Sequence, residues 1–241
     1  MSEFSENARR FISAYNQIDQ SLRNQCDFNK SISYTESIRK ASRTNALVKR
    51  NEDKLIDYGR LRNAIVHSFN ENAVIAEPHA DVVEDYERLA RAICTPPLAV
   101  DTVLNRDIKT VSHDTKVVEV IENIYKTGVS NWPVYKDGML IGVANSRKLI
   151  KEIGKKIYEK KDLDDFLGGT NIEDVISNFG EDTYYTIANK DVTLDKILNM
   201  FSENRKLSLI VITETGSLLE QPLGVVAIAD IMDVNKILDN Y

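Results

Sequence analysis

Residues 128–145 read GVSNWPVYKDGMLIGVAN, and residues 207–230 read LSLIVITETGSLLEQPLGVVAIAD. Each stretch contains an apolar run, a turn with a glycine and a second apolar run. Residues 117–124 and 194–198 precede the two stretches and carry apolar side chains at helical spacing. The same order of helix, strand, turn and strand therefore occurs twice, which predicts two copies of one supersecondary unit that bury their apolar faces against each other. A cleft between two related halves is a natural ligand site.

The chain is long enough for two domains of ordinary size. It has 241 residues, of which 42% are hydrophobic and 28% are charged, as in soluble globular proteins. The pattern changes at Pro96 and Pro97, because two prolines prevent a helix from continuing. We predict an all-α helical bundle over residues 1–95 and a domain that contains the repeat over residues 96–241. The expected fold class is α+β.

The composition does not indicate a membrane or extracellular protein. No apolar run approaches the length of a transmembrane helix, and residues 1–6 lack the basic and apolar segments of a signal peptide. Cys26 and Cys94 have neither metal-ligand spacing nor the density of a disulfide framework, so we expect reduced thiols. We predict a cytoplasmic protein that needs no metal and binds neither DNA nor a membrane.

The net charge of −6 is unevenly distributed along the chain. Residues 1–95 contain 14 basic and 14 acidic side chains, so the whole excess of acidic residues lies in the second part. Within the first part, residues 30–62 contain nine Lys or Arg and four Asp or Glu. This local excess of positive charge has two interpretations, a surface that faces phosphates or a solvated helix face.

The first 95 residues predict helices only. Apolar residues recur at helical spacing over residues 4–22, 34–48, 52–68 and 82–93. The second helix begins after Ser33, whose spacing from the next glutamate is that of a capping box. Four helices with short connections predict a helical bundle.

The third predicted helix contains Arg62, Asn63 and His67. Asn63 and His67 are four residues apart and share a helix face, so the amide can orient the imidazole. A cation, a side chain that moves protons near neutral pH and a polar orienting group are what metal-free RNA cleavage by 2′-hydroxyl attack requires. A second histidine for the second proton transfer would come from a symmetric dimer.

The sequence Arg-Asn-x-x-x-His on the third helix of a bundle resembles the HEPN family. Ribonucleases of that family carry an Arg-x(4–6)-His motif with a polar residue after the arginine, and they act as dimers. The resemblance implies that Arg62, Asn63 and His67 form a catalytic set. In the alternative interpretation, Arg62 pairs with a carboxylate and His67 caps a helix or packs, as in a bundle that serves only as an adaptor.

The repeat in residues 97–238 resembles a tandem pair of CBS (cystathionine β-synthase) motifs. Residues 130–134 match the small-x-x-Pro-Val strand of that family, and residues 224–230 match its Gly-x-x-Thr/Ser-x-x-Asp pattern. The resemblance implies two β-α-β-β-α motifs, over about 102–151 and about 172–238, that pack through their sheets into a disc-like module.

The CBS resemblance implies a nucleotide site at Asp230. In this family a carboxylate at the start of the last helix accepts the hydroxyls of a ribose, and the neighbouring strands hold an adenine. Ala227 occupies the Thr/Ser position, so one hydroxyl that the family uses is absent. In the first motif Asn145 and Lys148 stand at the corresponding positions, so a cation replaces the ribose-binding carboxylate.

The remaining site residues are expected on the strands that flank the first helix of the second motif. The ligand would be an adenine nucleotide such as AMP, ADP, ATP or cyclic di-AMP, and NAD and S-adenosylmethionine stay open because pocket shape decides among them. No glycine-rich phosphate loop or serine nucleophile pattern occurs, so we expect no catalysis in the C-terminal half. The expected ligand-binding residues are Asp230, Tyr185, Thr186, Ile187, Leu207, Ser208, Leu209 and Lys148, with Arg147, Arg205 and Lys206 as candidate phosphate partners.

Two functional hypotheses follow from these patterns. In the first, the CBS pair senses an adenine nucleotide and controls a metal-independent endoribonuclease in a homodimer that binds RNA. In the second, the protein is a non-enzymatic sensor whose helical domain only dimerises or docks a partner protein. Either domain could form the dimer interface, since both families self-associate.

Overall fold

A computed structural model describes residues 5–26, 31–70, 76–102, 108–179 and 184–241, without the side chains of residues 67–70. It contains helices and two small sheets, which confirms the α+β fold class. The chain forms two compact units. The helical unit comprises Met1–Leu98, Thr193–Glu203 and Ile231–Tyr241, and the sheet unit comprises Ala99–Val192 and Asn204–Asp230. The division into domains at residue 95 stays a prediction.

The helical unit begins with α1, Glu6–Gln25. Ser5 caps this helix, because its hydroxyl accepts a hydrogen bond from the backbone N–H of Ala8 at 3.1 Å. The side chains at helical spacing on one face are fully buried, as the sequence predicted. They are Phe11, Ile18 and Leu22, with Ala8 and Ala14 between them.

The predicted second helix is wrong in one respect, since it consists of two short helices, α2, Tyr34–Ala41, and α3, Ala46–Arg50. Ser33 caps α2 as predicted, through a 3.2 Å hydrogen bond from the N–H of Glu36. Asn45, which lies inside the predicted helix over residues 34–48, is instead the N-cap of α3, and its Oδ1 accepts the N–H of Val48 at 3.0 Å. Asparagine competes with the backbone in this way, so it favours helix starts over helix interiors.

The bundle continues with α4, Glu52–Asn70, and α5, Ala80–Cys94. Aromatic rings form the centre of its core. The Tyr86 ring lies 4.7 Å from Phe11 and 4.6 Å from Tyr58 between centroids, and its hydroxyl is 3.0 Å from that of Tyr34. These ring pairs add to the stability that burial of their area provides.

Asp85 of α5 accepts hydrogen bonds at the edge of this core. The Tyr58 hydroxyl donates to it at 2.6 Å, and the Lys54 ammonium lies 3.1 Å away. Arg88 contacts the same carboxylate. Burial, the largest single influence, acts to raise the pKa of Asp85, but the hydrogen bonds from Tyr58 and Lys54 outweigh it and hold the pKa below its ordinary value. The carboxylate is therefore ionised at neutral pH.

The sheet unit opens with α6, Ala99–Thr102, and then the first copy of the repeat. The elements of the first copy are β1, Val111–Ser112; α7, Val117–Thr127; β2, Asn131–Lys136; β3, Met139–Asn145; and α8, Ser146–Tyr158. β1 is parallel to β2, and β2 is antiparallel to β3. Gly128 ends α7 with a φ of 72°, a left-handed conformation that glycine adopts without strain.

Two further helices, α9, Leu163–Gly169, and α10, Ile172–Ile176, connect the two copies. Asp162 caps α9 through hydrogen bonds from the N–H groups of Asp164 and Asp165. The ring of Phe166 is buried in the core of the sheet unit.

The second copy repeats the order and the strand directions of the first. Its elements are β4, Tyr185–Asn189; α11, Leu194–Glu203; β5, Leu209–Thr213; β6, Gly224–Ala227; and α12, Ile231–Asn240. β4 is parallel to β5, and β5 is antiparallel to β6. The repeat that the sequence predicted is confirmed, and residues from both sheets share one apolar core.

The helices of the second copy, α11 and α12, belong to the helical unit. Asn199 of α11 accepts the N–H of Ala46, the first residue of α3, at 2.6 Å. Arg50, the last residue of α3, donates to Asn235 and Asp239 of α12, in both cases at 2.5 Å. Both ends of α3 are therefore bonded to helices of the repeat.

Candidate functional site

Asp230 lies at the end of the second sheet where β4 and β5 begin. Ala227, the last residue of β6, pairs with Leu209, the first residue of β5, and Leu209 pairs with Tyr185, the first residue of β4. One turn of 3₁₀-helix then leads to Asp230, which is 9% exposed. Its Oδ2 accepts the backbone N–H of Ala227 at 2.8 Å, so the carboxylate closes the turn before α12.

Three predicted residues lie near this sheet end by strand register. Ser208 is one residue before β5, and its backbone carbonyl accepts the N–H of Ile228 at 3.1 Å, which joins the β5 end to the Asp230 turn. Tyr185 and Leu209 are paired directly. Burial raises the pKa of the half-buried Tyr185, so its hydroxyl stays protonated and can donate a hydrogen bond.

The other predicted residues lie farther from Asp230 along the strands or have buried side chains. Thr186 pairs with Ile210 and Ile187 pairs with Val211, one and two positions farther along the strands from Asp230. Leu207 is 3% exposed, so little of its side chain is open to a ligand. Leu209 is also buried in the core.

Lys148 of the first copy contacts the segment that leads into the second copy. Its ammonium donates to the backbone carbonyl of Phe179 at 2.7 Å and lies 4.3 Å from the centroid of the Tyr184 ring. A cation in this position interacts with the electron-rich ring face and with the carbonyl dipole. The first copy therefore has a positive charge with protein partners at the position that a carboxylate occupies in the second copy.

A polar network that the sequence analysis missed connects the two copies. The amide oxygen of Asn131 accepts the Nδ2 of Asn145 at 2.6 Å and the Ser208 hydroxyl at 3.3 Å. The hydroxyl of Tyr184 donates to the backbone carbonyl of Val143 at 2.6 Å. One sequence signal could have indicated this network. Asn131 stands immediately before Trp132 and Pro133, at the place in the first copy that corresponds to the start of β5 in the second.

The candidate phosphate partners lie on the surface. Arg205 and Lys206 are exposed in the turn between α11 and β5, and the Lys206 backbone N–H bonds to Asn204 at 3.0 Å. Arg147, in the first turn of α8, is also exposed. Within the described residues no group of three or more His, Cys, Asp or Glu side chains could hold a metal ion.

The predicted nuclease residues lie on α4. The Arg62 guanidinium is 4.9 Å from the centroid of the Tyr15 ring, and its Nη1 lies 3.4 Å from Oδ1 of Asn63. In the described part of the chain the buried Nε of Arg62 has no hydrogen-bond partner. The His67 side chain lies outside what the structure describes, so the geometry of the three together is untested and the catalytic set stays a prediction.

Several cations of the basic segment have acidic partners. Lys40 bonds to Glu36, Arg60 to Asp57, and Arg50 to Asp239, all within 3.0 Å. The paired charges favour the interpretation of this segment as a solvated helix face.

Comparison with known proteins gives a family for part of the chain. The CBS domain model matches residues 100–155, which contain β1 to most of α8. No curated protein sequence matches the chain. In the described residues no helix is both long enough and apolar enough to span a bilayer.

Several solved structures are similar to this chain. The CBS domain pair of protein MJ0100, solved with 5′-methylthioadenosine and S-adenosyl-L-methionine, is 18% identical with a TM-score of 0.42, over 58% of this chain and 97% of that one. A CBS-domain-containing protein from Agrobacterium tumefaciens is 17% identical with a TM-score of 0.44, over 57% and 92%. The CBS domain of a bacterial CNNM/CorC family Mg²⁺ transporter in complex with ATP is 12% identical with a TM-score of 0.45, over 63% and 94%.

Proposed function

We propose that this protein is a regulatory sensor that binds an adenine nucleotide at the Asp230 end of its second sheet. The observation that carries the proposal is the position of this carboxylate, at the turn between β6 and α12 and beside the first residues of β4 and β5. The match of residues 100–155 to the CBS domain and the repeated strand order support it.

The chemistry of Asp230 supports a ribose as the group that it recognises. Each carboxylate oxygen has two acceptor positions, so Oδ2 can accept the Ala227 N–H and still accept a hydroxyl. Hydrogen bonds to an ionised carboxylate are roughly twice as strong as neutral ones. A vicinal diol presents two donors at a spacing that suits the two carboxylate oxygens, whereas adenine and an ionised phosphate do not.

We infer that the two copies of the repeat do not provide equivalent ligand sites. Asp230 would hold the nucleoside, and the first copy has Lys148 in the place of the carboxylate, with its ammonium over the Tyr184 ring. Ligands with one adenosine, AMP, ADP or ATP, therefore fit this asymmetry better than two separate nucleosides. Cyclic di-AMP remains in the proposed class, with Arg205 and Lys206 as exposed partners for its phosphates.

The helical unit would receive the signal through α12. This helix begins at the residue after Asp230, and its residues Asn235 and Asp239 bond to Arg50 of α3. A ligand that changes the turn at Asp230 would therefore act on a helix that is bonded within the helical unit. A coupling free energy of about 1–3 kcal/mol would change the affinity of the helical unit for its own partner by roughly 5- to 150-fold.

For the output of the helical unit we favour docking of a partner over RNA cleavage. The guanidinium of Arg62 is half-buried and lies over Tyr15, which differs from the solvated cation that would brace a phosphorane. Ribonuclease activity in the presence of EDTA would support the endoribonuclease hypothesis instead, provided that Arg62→Ala and His67→Ala both abolish the activity. We place this sensor in the cytoplasm, where adenine nucleotides are the common pool of such ligands.

Thermal shift and isothermal titration with AMP, ADP, ATP and cyclic di-AMP test the proposal. A ligand at about 100 times its Kd stabilises the protein by about 2.7 kcal/mol. Asp230→Asn keeps the shape and removes the charge, and we expect it to weaken binding at least about tenfold, since a hydrogen bond to a charged group contributes about 1.5–3 kcal/mol. Asp233→Asn, at an exposed position in the first turn of α12, is the matched control. Binding that is unchanged in Asp230→Asn, or absent in the wild type, would refute the site.

A further inference from the structure

The side-chain amide of Asn131 has a fixed orientation at the end of the first sheet. Asn145, the last residue of β3, pairs with Asn131, the first residue of β2. The Oδ1 of Asn145 accepts the backbone N–H groups of Arg147 at 3.1 Å and Lys148 at 3.2 Å, so its Nδ2 is the atom that faces Asn131, at 2.6 Å. Because an amide nitrogen can only donate, Asn131 presents its oxygen to Asn145. The nitrogen of Asn131 therefore lies at the other corner of its amide.

This nitrogen carries two donors that the protein does not use. Among the described residues neither hydrogen of Asn131 Nδ2 has an acceptor, whereas the oxygen of the same amide accepts from Asn145 and from the Ser208 hydroxyl. Asn131 is half-buried, so part of the residue is open to solvent. An amide that is held in one orientation and keeps two donors is preorganised to bind an acceptor of a ligand.

The donors of Asn131 lie beside the candidate nucleotide site. The Asn131 oxygen is 3.3 Å from the hydroxyl of Ser208, the residue before β5. The backbone carbonyl of Ser208 accepts the N–H of Ile228 at 3.1 Å, and Asp230 follows in the same turn of 3₁₀-helix. Ser208 therefore joins Asn131 of the first copy to the Asp230 turn of the second copy.

Positive charges stand on both segments that meet at Asn131. Two cations follow Asn145 within three residues, and two precede Ser208 within three residues. They are Arg147, Lys148, Arg205 and Lys206. No acidic residue occurs in residues 142–148 or 204–213, which contain these cations. The first turn of α8 follows Asn145, and the start of a helix carries partial positive charge. These charges favour an anion near Asn131.

The phosphate of a nucleotide matches this arrangement. An ionised phosphate has acceptors only, and the nitrogen of Asn131 has donors only. Adenine has donors as well as acceptors, so a nitrogen that only donates does not select it. The carboxylate of Asp230 repels a phosphate and accepts from ribose hydroxyls, whereas the cations near Asn131 attract the phosphate. The ribose and the phosphate of one nucleotide would thus be bound by residues from different copies of the repeat.

We propose that Asn131 is a ligand-contact residue of the Asp230 site and that its Nδ2 donates to the phosphate of the bound nucleotide. The proposal rests on the proposed function, because it takes Asp230 as the ribose end of the site. It adds a contact from the first copy, so the nucleotide bridges the two copies and binds more tightly than its nucleoside. Hydrogen bonds to an ionised phosphate are roughly twice as strong as neutral ones.

Isothermal titration of the full chain with adenosine and with AMP tests the contact, since the two ligands differ only in the phosphate. Asn131→Asp keeps the oxygen that accepts from Asn145 and replaces the nitrogen by a carboxylate oxygen. We expect it to raise the Kd for AMP at least about tenfold and to change the Kd for adenosine less than about twofold. Asn189→Asp is the matched control, because it makes the same change at the exposed far end of β4. Its Kd values should equal those of the wild type.

The outcomes separate this contact from the Asp230 site itself. Asp230→Asn should weaken adenosine and AMP alike, whereas Asn131→Asp should weaken AMP alone. A wild type that binds both ligands equally, or an Asn131→Asp variant that binds AMP as tightly as the wild type, overturns the contact and leaves the Asp230 site in place. Equal losses for both ligands in Asn131→Asp would also overturn it, since Asn131 would then support the shape of the site. A wild type that binds neither ligand refutes the Asp230 site and the contact together.

Discussion

Replacement of Tyr184 by phenylalanine isolates one hydrogen bond between the two copies of the repeat. The Tyr184 hydroxyl donates to the Val143 carbonyl of β3 at 2.6 Å and is buried. Val143 lies opposite Pro133, and proline has no N–H to donate to it, whereas the Tyr184 hydroxyl supplies a donor to this carbonyl. Burial raises the pKa of the Tyr184 phenol above its ordinary value, so the hydroxyl keeps its proton at neutral pH.

The expected loss of stability follows from this burial. A typical hydrogen bond contributes about 0.5–1.5 kcal/mol, but a buried acceptor that loses its donor costs about 1–3 kcal/mol. Phenylalanine keeps the ring that faces the Lys148 ammonium at 4.3 Å, so the cation–π contact persists. We expect Tyr184→Phe to lower the free energy of unfolding by about 2 kcal/mol, which in a chain of this length lowers Tm by roughly 4–8 °C.

Calorimetry at neutral pH with a urea titration measures this loss. Tyr125→Phe serves as the matched control, since Tyr125 is 89% exposed and its loss of a hydroxyl should change stability by less than about 0.5 kcal/mol. Equal melting of Tyr184→Phe and the wild type would mean that water replaces the lost donor, and would refute the role assigned to this bond.

Four further changes test other parts of the structure by thermal or urea unfolding. Gly59→Ala should destabilise by about 1–3 kcal/mol, because a Cβ there would lie 2.8 Å from Cδ1 of Tyr34. Gly168→Ala should stabilise by about 0.5–1 kcal/mol, because among the described residues no atom outside its own helix backbone and chain neighbours lies within 4 Å of an added Cβ. Equal effects of the two substitutions would contradict the packing around Gly59. Asn45→Ala removes the side-chain cap of α3 and should lower the free energy of unfolding by about 1 kcal/mol. An unchanged free energy of unfolding would contradict the role of Asn45 as a cap. Asp85→Asn should destabilise at pH 7. Since the pKa of Asp85 is lowered in the folded state, the stability that its charge contributes is complete above the unfolded pKa of about 3.9 and is lost as the pH falls through the folded pKa. The free energies of unfolding of the variant and the wild type should therefore converge in acid. A difference between them that stays constant down to pH 2 would be inconsistent with this role of Asp85.

Local patterns in the chain predicted the elements well. The spacing of apolar residues indicated α1 and α4, and the serine at position 33 indicated where α2 begins. The same kind of evidence failed over residues 42–45. Ala41 and Val48 on either side fit one helical period, but the Asn45 side chain between them caps a new helix, because a local hydrogen bond competes with helix continuation.

The candidate site was predictable in part. The pattern ending at Asp230 and the register of two apolar runs bring Tyr185 and Leu209 to one sheet end, as the repeat implied. The partners of charged groups were not predictable. Lys148 bonds to the carbonyl of Phe179, 31 residues away in sequence, and only the folded chain brings the two together.

The repeated order of helix, strand, turn and strand can be derived from the amino-acid sequence, because periodicity and turns depend on residues that are near in the chain. Only the folded chain shows that α11 and α12 of the second copy belong to the helical unit, whereas α7 and α8 of the first copy belong to the sheet unit and leave Ile150, Ile157 and Tyr158 exposed. The two pairs of helices have similar apolar patterns, and the physical difference between them is which neighbours cover them. Such contacts are made between residues distant in sequence, so no local pattern specifies them.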